Sequence, residues 1–253
     1  MGASALPTYD AEQLAGLLAA LPDVDAVELK LTVPRADQRT VVRKMGIDSI
    51  DGEVRQVVFV DDFDLRLSAA GVVVRARRTQ RKPGDVTVKL RPMLPDDVPT
   101  GLRELPGFKV EIDASPAGFT CSCSLTAKVP DKKVKELITG DRDLVDVLDE
   151  AQRDLLADQL PGTVDIGDLR VLGPVHLLKC KFSPEGFGRK MAAELWLLPS
   201  GRILELSTKC EPREAFMVAA EAKVFLAGHG IDLGAPQELK TGSALASLVG
   251  ASA

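Results

Sequence analysis

Aromatic residues make up only 4% of the 253 positions, with one Trp and one Tyr. Stacking platforms for single-stranded nucleic acid are built from such rings, so that class is excluded. Positive charge is not in excess either. Thirty-two Lys and Arg face 37 Asp and Glu, a formal net charge of −5. A chain-wide attraction to nucleic acid or to an anionic membrane is therefore not expected. The two histidines, His176 and His229, lie in no metal spacing. The four cysteines are Cys121, Cys123, Cys180 and Cys210, and none forms a paired C-x-x-C. They read as free, buried thiols of a cytosolic protein. No apolar run approaches the ~18 residues of a membrane span, and no basic start precedes an apolar block. A cytoplasmic location without membrane contact is the expectation. A G-x-S-x-G elbow, a Walker loop and a dinucleotide fingerprint are also missing.

What is present is 45% hydrophobic and 27% charged residues, an ordinary globular balance. Helical spacing of Leu14, Leu17, Leu18 and Leu21 predicts a helix over 9–21, stopped by Pro22. A second short helix is expected from Pro34 to about Met45. Period-2 alternation predicts strands at 26–33, 53–60, 72–78, 85–92 and 108–113, the third and fourth joined by a turn at Pro83-Gly84. Residues 131–160 are an expected helical insertion. Strands return at "DLRVLG", "VHLLKCKFS", "MAAELWLL" and "RILELSTKC", the last two forming a hairpin through Pro199-Ser200-Gly201. A final helix ends near Gly228 or Gly230, and 240–253 reads as a loosely docked tail rich in small residues. Together these give a single α+β domain over 1–253, with eight or nine mostly antiparallel strands.

The strands share an unusual feature. Lys30 follows Glu28 by two, Arg77 follows Arg75, Arg91 follows Lys89, Asp113 follows Glu111, and Lys181 follows Lys179. Glu205 and Lys209 also share a face, and Glu194 stands on a strand of Ala, Leu and Trp. Same-sign pairs on neighbouring strands repel unless something neutralises them. A sheet curled with these faces inward would surround a channel. Its Arg and Lys suit phosphate oxygens, and its carboxylates offer hard ligands to Mg²⁺ or Mn²⁺. Such a combination is what phosphoryl transfer requires. Arg55, in phase with Val57 and Phe59, is a further candidate for the inner face. Arg66 is a candidate ion-pair partner of Asp62 or Asp64, and the "DKKVKE" run is either a solvated helix face or a lid.

Several segments resemble the CYTH superfamily of triphosphate tunnel metalloenzymes. "VELKL" at 27–31 resembles its E-x-E-x-K signature. "FVDDFDLRLSAAGVVVRARR", "TVKLRP", "KVEID" and "ELWLLPSGRILELSTK" resemble later family segments in the same order, and the likeness spans about 24–233. The resemblance implies an eight-stranded antiparallel barrel forming a tunnel, with flanking helices. It implies divalent-metal-dependent hydrolysis of a linear triphosphate, inorganic or nucleoside. A binding module for polyphosphate or another phosphorylated ligand, or a class IV type adenylate cyclase, are the alternatives. Carried over by position, Lys30, Arg75, Arg77, Lys89, Arg91, Lys179, Lys181 and Lys209 would bind substrate. Glu28, Glu111, Asp113, Glu194 and Glu205 would bind Mg²⁺ or Mn²⁺, and Glu28, Glu111 and Glu205 would serve catalysis. The partner would be a small phosphorylated anion, and the protein a monomer or homodimer. The chain departs from the pattern at Ala26 and Ser207, where carboxylates are expected, at Lys179 and Lys181, where an Arg is common, and at Val60-Asp61-Asp62, which replaces an aromatic-Asp-Thr turn.

Overall fold

Nine strands close into one barrel in a computed structural model that describes residues 10–252. They are β1 (Ala26–Val33), β2 (Glu53–Asp61), β3 (Val72–Thr79), β4 (Lys82–Leu90), β5 (Phe108–Ser115), β6 (Gly118–Val129), β7 (Arg170–Phe182), β8 (Met191–Leu198) and β9 (Gly201–Cys210). The order around the ring is β1-β5-β6-β4-β3-β2-β7-β8-β9. An odd ring cannot alternate direction throughout, so one pair must run parallel. That pair is β1 with β5, from Ala26↔Glu111 to Leu29↔Ala114. The barrel is thus nine-stranded and mixed, where the family resemblance implied eight antiparallel strands.

The differences have local causes. β6 escapes the sequence reading because Cys121, Cys123 and Leu125 alternate with Ser122, Ser124 and Thr126, a weak apolar contrast. The two expected strands at "DLRVLG" and "VHLLKCKFS" are one, with a register shift opposite Val57 and Phe59. The β3–β4 turn falls at Gln80-Arg81, Arg81 taking φ 58°, so Pro83 and Gly84 are already in the strand.

Among the described residues there are seven α-helices: α1 (Ala11–Ala20), α2 (Gln38–Lys44), α3 (Arg66–Ala69), α4 (Asp131–Thr139), α5 (Glu150–Gln159), α6 (Ala215–Gly228) and α7 (Lys240–Ser252), the last packed against residues of the inner strand phase. Tyr9, the expected start of the first helix, lies outside the described residues; Asp10 and Gln13 form a capping box there. The apolar strand phase, including Val27, Val74, Val86, Val88 and Ile112, packs against α1, α4 and α5. Leu31, Val33 and Leu206 pack under α2 and α6. Each such side chain contributes about 1.5–3 kcal/mol of burial, so the greasy face of the sheet is the outside, held down by helices. α4 approaches so closely that a Cβ at Gly84 would lie 2.7 Å from Val134. The "DKKVKE" run therefore belongs to a helix on the outer wall, anchored where Asp131 accepts from Arg78 at 2.8 and 2.7 Å.

Gln152 of α5 is fully buried and donates to Val86 O at 2.9 Å and Leu125 O at 3.0 Å. Gln152→Leu should lower stability by about 1–2 kcal/mol, because it removes both bonds beneath the helix. Urea unfolding checks this; an unchanged midpoint would show the two bonds to be dispensable.

The tail is not loosely docked. Residues 240–252 form α7, with Ala244, Leu245 and Leu248 buried against Val57, Phe59, Val73, Trp196 and Ile203. No helix among the described residues is long and apolar enough to cross a membrane.

Candidate functional site

Strand register carries the charged phase to the inside. Thr32, Glu205, Glu194, Lys179 and Glu53 form one row across β1, β9, β8, β7 and β2. Lys30, Ser207, Ala192 and Lys181 form the next. Glu28 sits between Asp113 of β5 and Lys209 of β9. On the far wall Arg77 faces Asp85, and Arg75 faces Thr87. Lys89 of β4 reaches Asp113 of β5 at 3.3 Å although β6 lies between the two strands. Only side chains on the concave face can meet in this way.

Within the barrel the carboxylates are gripped by lysines. Lys30 lies 2.8 Å from Asp113 and 3.4 Å from Glu28. Lys179 lies 2.7 Å from Glu194, and Lys209 lies 2.7 Å from Glu111. Lys240, on α7, lies 2.6 Å from Glu194 and 2.5 Å from Glu205. Its ammonium also sits 5.5 Å from the centre of the Trp196 ring. Burial opposes ionisation of Asp113, but Lys30 and Lys89 outweigh it and bring the carboxyl down to about 2. Glu194 is held well below the carboxylate range by Lys240 and Lys179 against the opposing effect of burial. Glu28 is lowered too: burial opposes ionisation, and Lys30, Lys240 and Lys209 together outweigh it. Glu205 moves the other way: burial raises it despite Lys240 and Lys30.

The basic wall is less well neutralised. Arg77 donates to Asp85 at 3.1 and 2.8 Å. Arg75, one pair along, makes no ion pair among the described residues, and its Nε is buried without a partner. Burial first, and then the charge of Arg77, pushes its pKa down. Arg55 has an ion pair to Glu53 at 2.8 Å, yet its Nε is also buried and unpartnered. Burial lowers Lys89, and Lys30, Arg91 and Arg75 add to the effect while Asp113 opposes it. Arg91 is placed by Gly71. The Arg91 amide donates to Gly71 O at 2.8 Å, and Gly71 has φ 82° with Arg91 O only 2.6 Å from where a Cβ would stand.

Every candidate from the sequence falls on the inner phase or, for Arg91, just past the end of β4. Lys181 is exposed, and the side chain of Lys209 is 49% exposed, so these two stand towards solvent. Arg66 pairs with Asp62, outside this cluster. His176 meets Gln56 and His229 meets Phe225 O. All four cysteines are free and buried. Sequence reading missed Asp85 and Lys240. Spacing puts Lys240 on an i, i+4, i+8 face with Ala244 and Leu248, but carries no signal that this face meets the carboxylates.

The five carboxylates proposed for metal do not meet at one point. Among the described residues no three of His, Cys, Asp or Glu come together as a metal group. Four of them form two pairs, Glu28 with Asp113 and Glu194 with Glu205, each bridged by an ammonium, and Glu111 stands apart with Lys209. A pair of carboxylates already holding a cation fits Mg²⁺ or Mn²⁺, which take one or two carboxylates and complete their shell with water and phosphate oxygens.

The fold and site define a closed barrel with a charged interior. Solved structures share that fold. A Bacillus halodurans protein described as a "putative adenylate cyclase" superimposes with a TM-score of 0.60 at 14% identity, over 87% of this chain and 97% of its own. A Hippeastrum "putative adenylyl cyclase", described as having a dominant triphosphatase activity, gives 0.61 at 14% identity, over 85% and 92%. No protein-family model and no curated protein matches the chain.

Proposed function

We propose that the protein hydrolyses a linear triphosphate inside the barrel, inorganic triphosphate first and nucleoside triphosphate second, with Mg²⁺ or Mn²⁺. The observation that carries this reading is Arg75: a guanidinium on the inner wall with no ion pair among the described residues and a buried, unpartnered Nε, beside Arg77 and Arg55. A buried guanidinium without a partner is costly, and an anion that reaches it removes that cost. Arg75, Arg77, Lys89 and Arg91 would grip the phosphate chain from one wall. Lys30, Lys179, Lys181 and Lys209 would meet it from the other. Glu28 with Asp113, or Glu194 with Glu205, would hold the divalent ion, which supplies positive charge against the terminal phosphoryl oxygens. Glu205 or Glu111 would orient the attacking water. Glu205 is the better proton acceptor because burial raises its carboxyl.

The Hippeastrum structure, described by its triphosphatase activity, supports the substrate class through a shared fold. A second reading, binding without turnover, is favoured by the ion pairs that occupy every proposed carboxylate ligand. A phosphate-release screen of tri- and polyphosphates and ATP with Mg²⁺ or Mn²⁺ separates them. Metal-dependent release, abolished by EDTA and by Glu28→Ala, is expected. Tight binding with no release from any substrate would establish the second reading, and cyclic AMP from ATP would establish a cyclase.

A further inference from the structure

Glu194 and Glu205 are direct partners across the β8–β9 ladder, both on the inner face. Like charges so placed repel, and burial sharpens the repulsion. Lys179 reaches Glu194 only. The group that touches both carboxylates is the Lys240 ammonium, and it is the sole ion-pair partner of Glu205 among the described residues. It does not come from the barrel. It comes from the first residue of α7, whose Ala244, Leu245 and Leu248 are packed among the inner apolar residues Phe59, Trp196 and Ile203. One helix therefore delivers a positive charge to a two-carboxylate seat and holds it there by apolar packing.

We propose that Lys240 is a tethered cation that holds the Glu194–Glu205 seat against a divalent ion, so that a metal enters only as the ammonium leaves. The identity of the incoming ion rests on the metal-dependent reading above; the seat and its occupant do not. Lys240 acts through the two carboxylates and sets which cation they accept. It is a specificity residue that the sequence comparison with the family would not mark, since the resemblance ends near 233.

The test is Mn²⁺ binding to the full chain in phosphate-free buffer near pH 8, followed by loss of the free-ion EPR signal. Lys240→Met should bind one additional Mn²⁺ at least tenfold more tightly than the wild type. Lys240→Arg should behave as the wild type, and adding Glu205→Gln to Lys240→Met should remove the gain. Equal affinity in Lys240→Met and the wild type overturns the proposal, as does a gain that survives Glu205→Gln. Should Lys240→Met fold poorly, its melting temperature gives the second measurement: Mn²⁺ must raise it, and raise it more than that of the wild type. A variant that stays unfolded at every Mn²⁺ concentration counts against the proposal. No readout here involves phosphate release, so absence of turnover would sink the proposed function and leave this inference standing.

Discussion

Arg75→Met should weaken inorganic triphosphate binding by about 2–5 kcal/mol, roughly 30-fold to several thousandfold, while leaving the ligand-free protein no less stable. The two halves of this result have one cause. In the free protein Arg75 makes no ion pair among the described residues, has a buried unpartnered Nε, and feels the charge of Arg77. Removing it relieves desolvation and repulsion, so stability should hold or rise by about 1 kcal/mol. With triphosphate present, the same guanidinium gains a desolvated, charge-assisted partner that Met cannot supply. Arg75→Lys should recover part of the affinity, since it restores charge without the two-pronged fork. Calorimetry with triphosphate and urea unfolding without it give the two readings. Unchanged affinity would remove the anion site from this wall. A large loss of stability would show that Arg75 has a structural role instead.

Asp113→Asn should produce the opposite pattern, a loss of about 2–3 kcal/mol in the free protein at neutral pH. Asp113 is the shared partner of Lys30 at 2.8 Å and Lys89 at 3.3 Å, and its side chain is 19% exposed. Neutralising it leaves two ammonium groups facing each other with one partner fewer. The pH dependence follows from the carboxyl lying at about 2 in the fold. Its unfolded value is about 3.9. As pH falls, the unfolded chain takes up the proton first. The contribution of Asp113, about 2 kcal/mol, is therefore complete above about pH 5 and is lost as pH falls towards 2. Urea midpoints of wild type and Asp113→Asn should converge over that window. A gap that stays constant from pH 6 to pH 2.5 would show that the Asp113 charge is not what stabilises this cluster.

The two variants also explain why so much of the site was legible in sequence. On a strand, side-chain facing follows from a period of two, and that parity holds wherever the strand goes. Arg75 with Arg77, Lys89 with Arg91 and Glu111 with Asp113 could be assigned common faces without knowing the neighbours. Same-sign repetition then argued against open solvent. Asp85 lies inside the strand expected at 85–92, on the face of Lys89 and Arg91, but what sets it opposite Arg77 is the pairing through the Gln80-Arg81 turn, which the Pro83-Gly84 reading does not give. β6 was missed because Cys, Ser and Thr give little contrast between its faces.

The sequence by itself determined which side chains share a strand face, that one face is apolar and the other charged, and that a helical segment interrupts the strands at 131–160. Those are properties of local periodicity, carried within a few residues. Only the tertiary structure decided that the ring holds nine strands with β1 parallel to β5, that the apolar face is the outer one, and that α7 brings Lys240 back to Glu194 and Glu205. Each of these depends on contacts between residues far apart in the chain. The ring closes only when β1 meets β5 and β9, and a lysine at position 240 has no local cue to the carboxylates it meets 46 and 35 positions earlier.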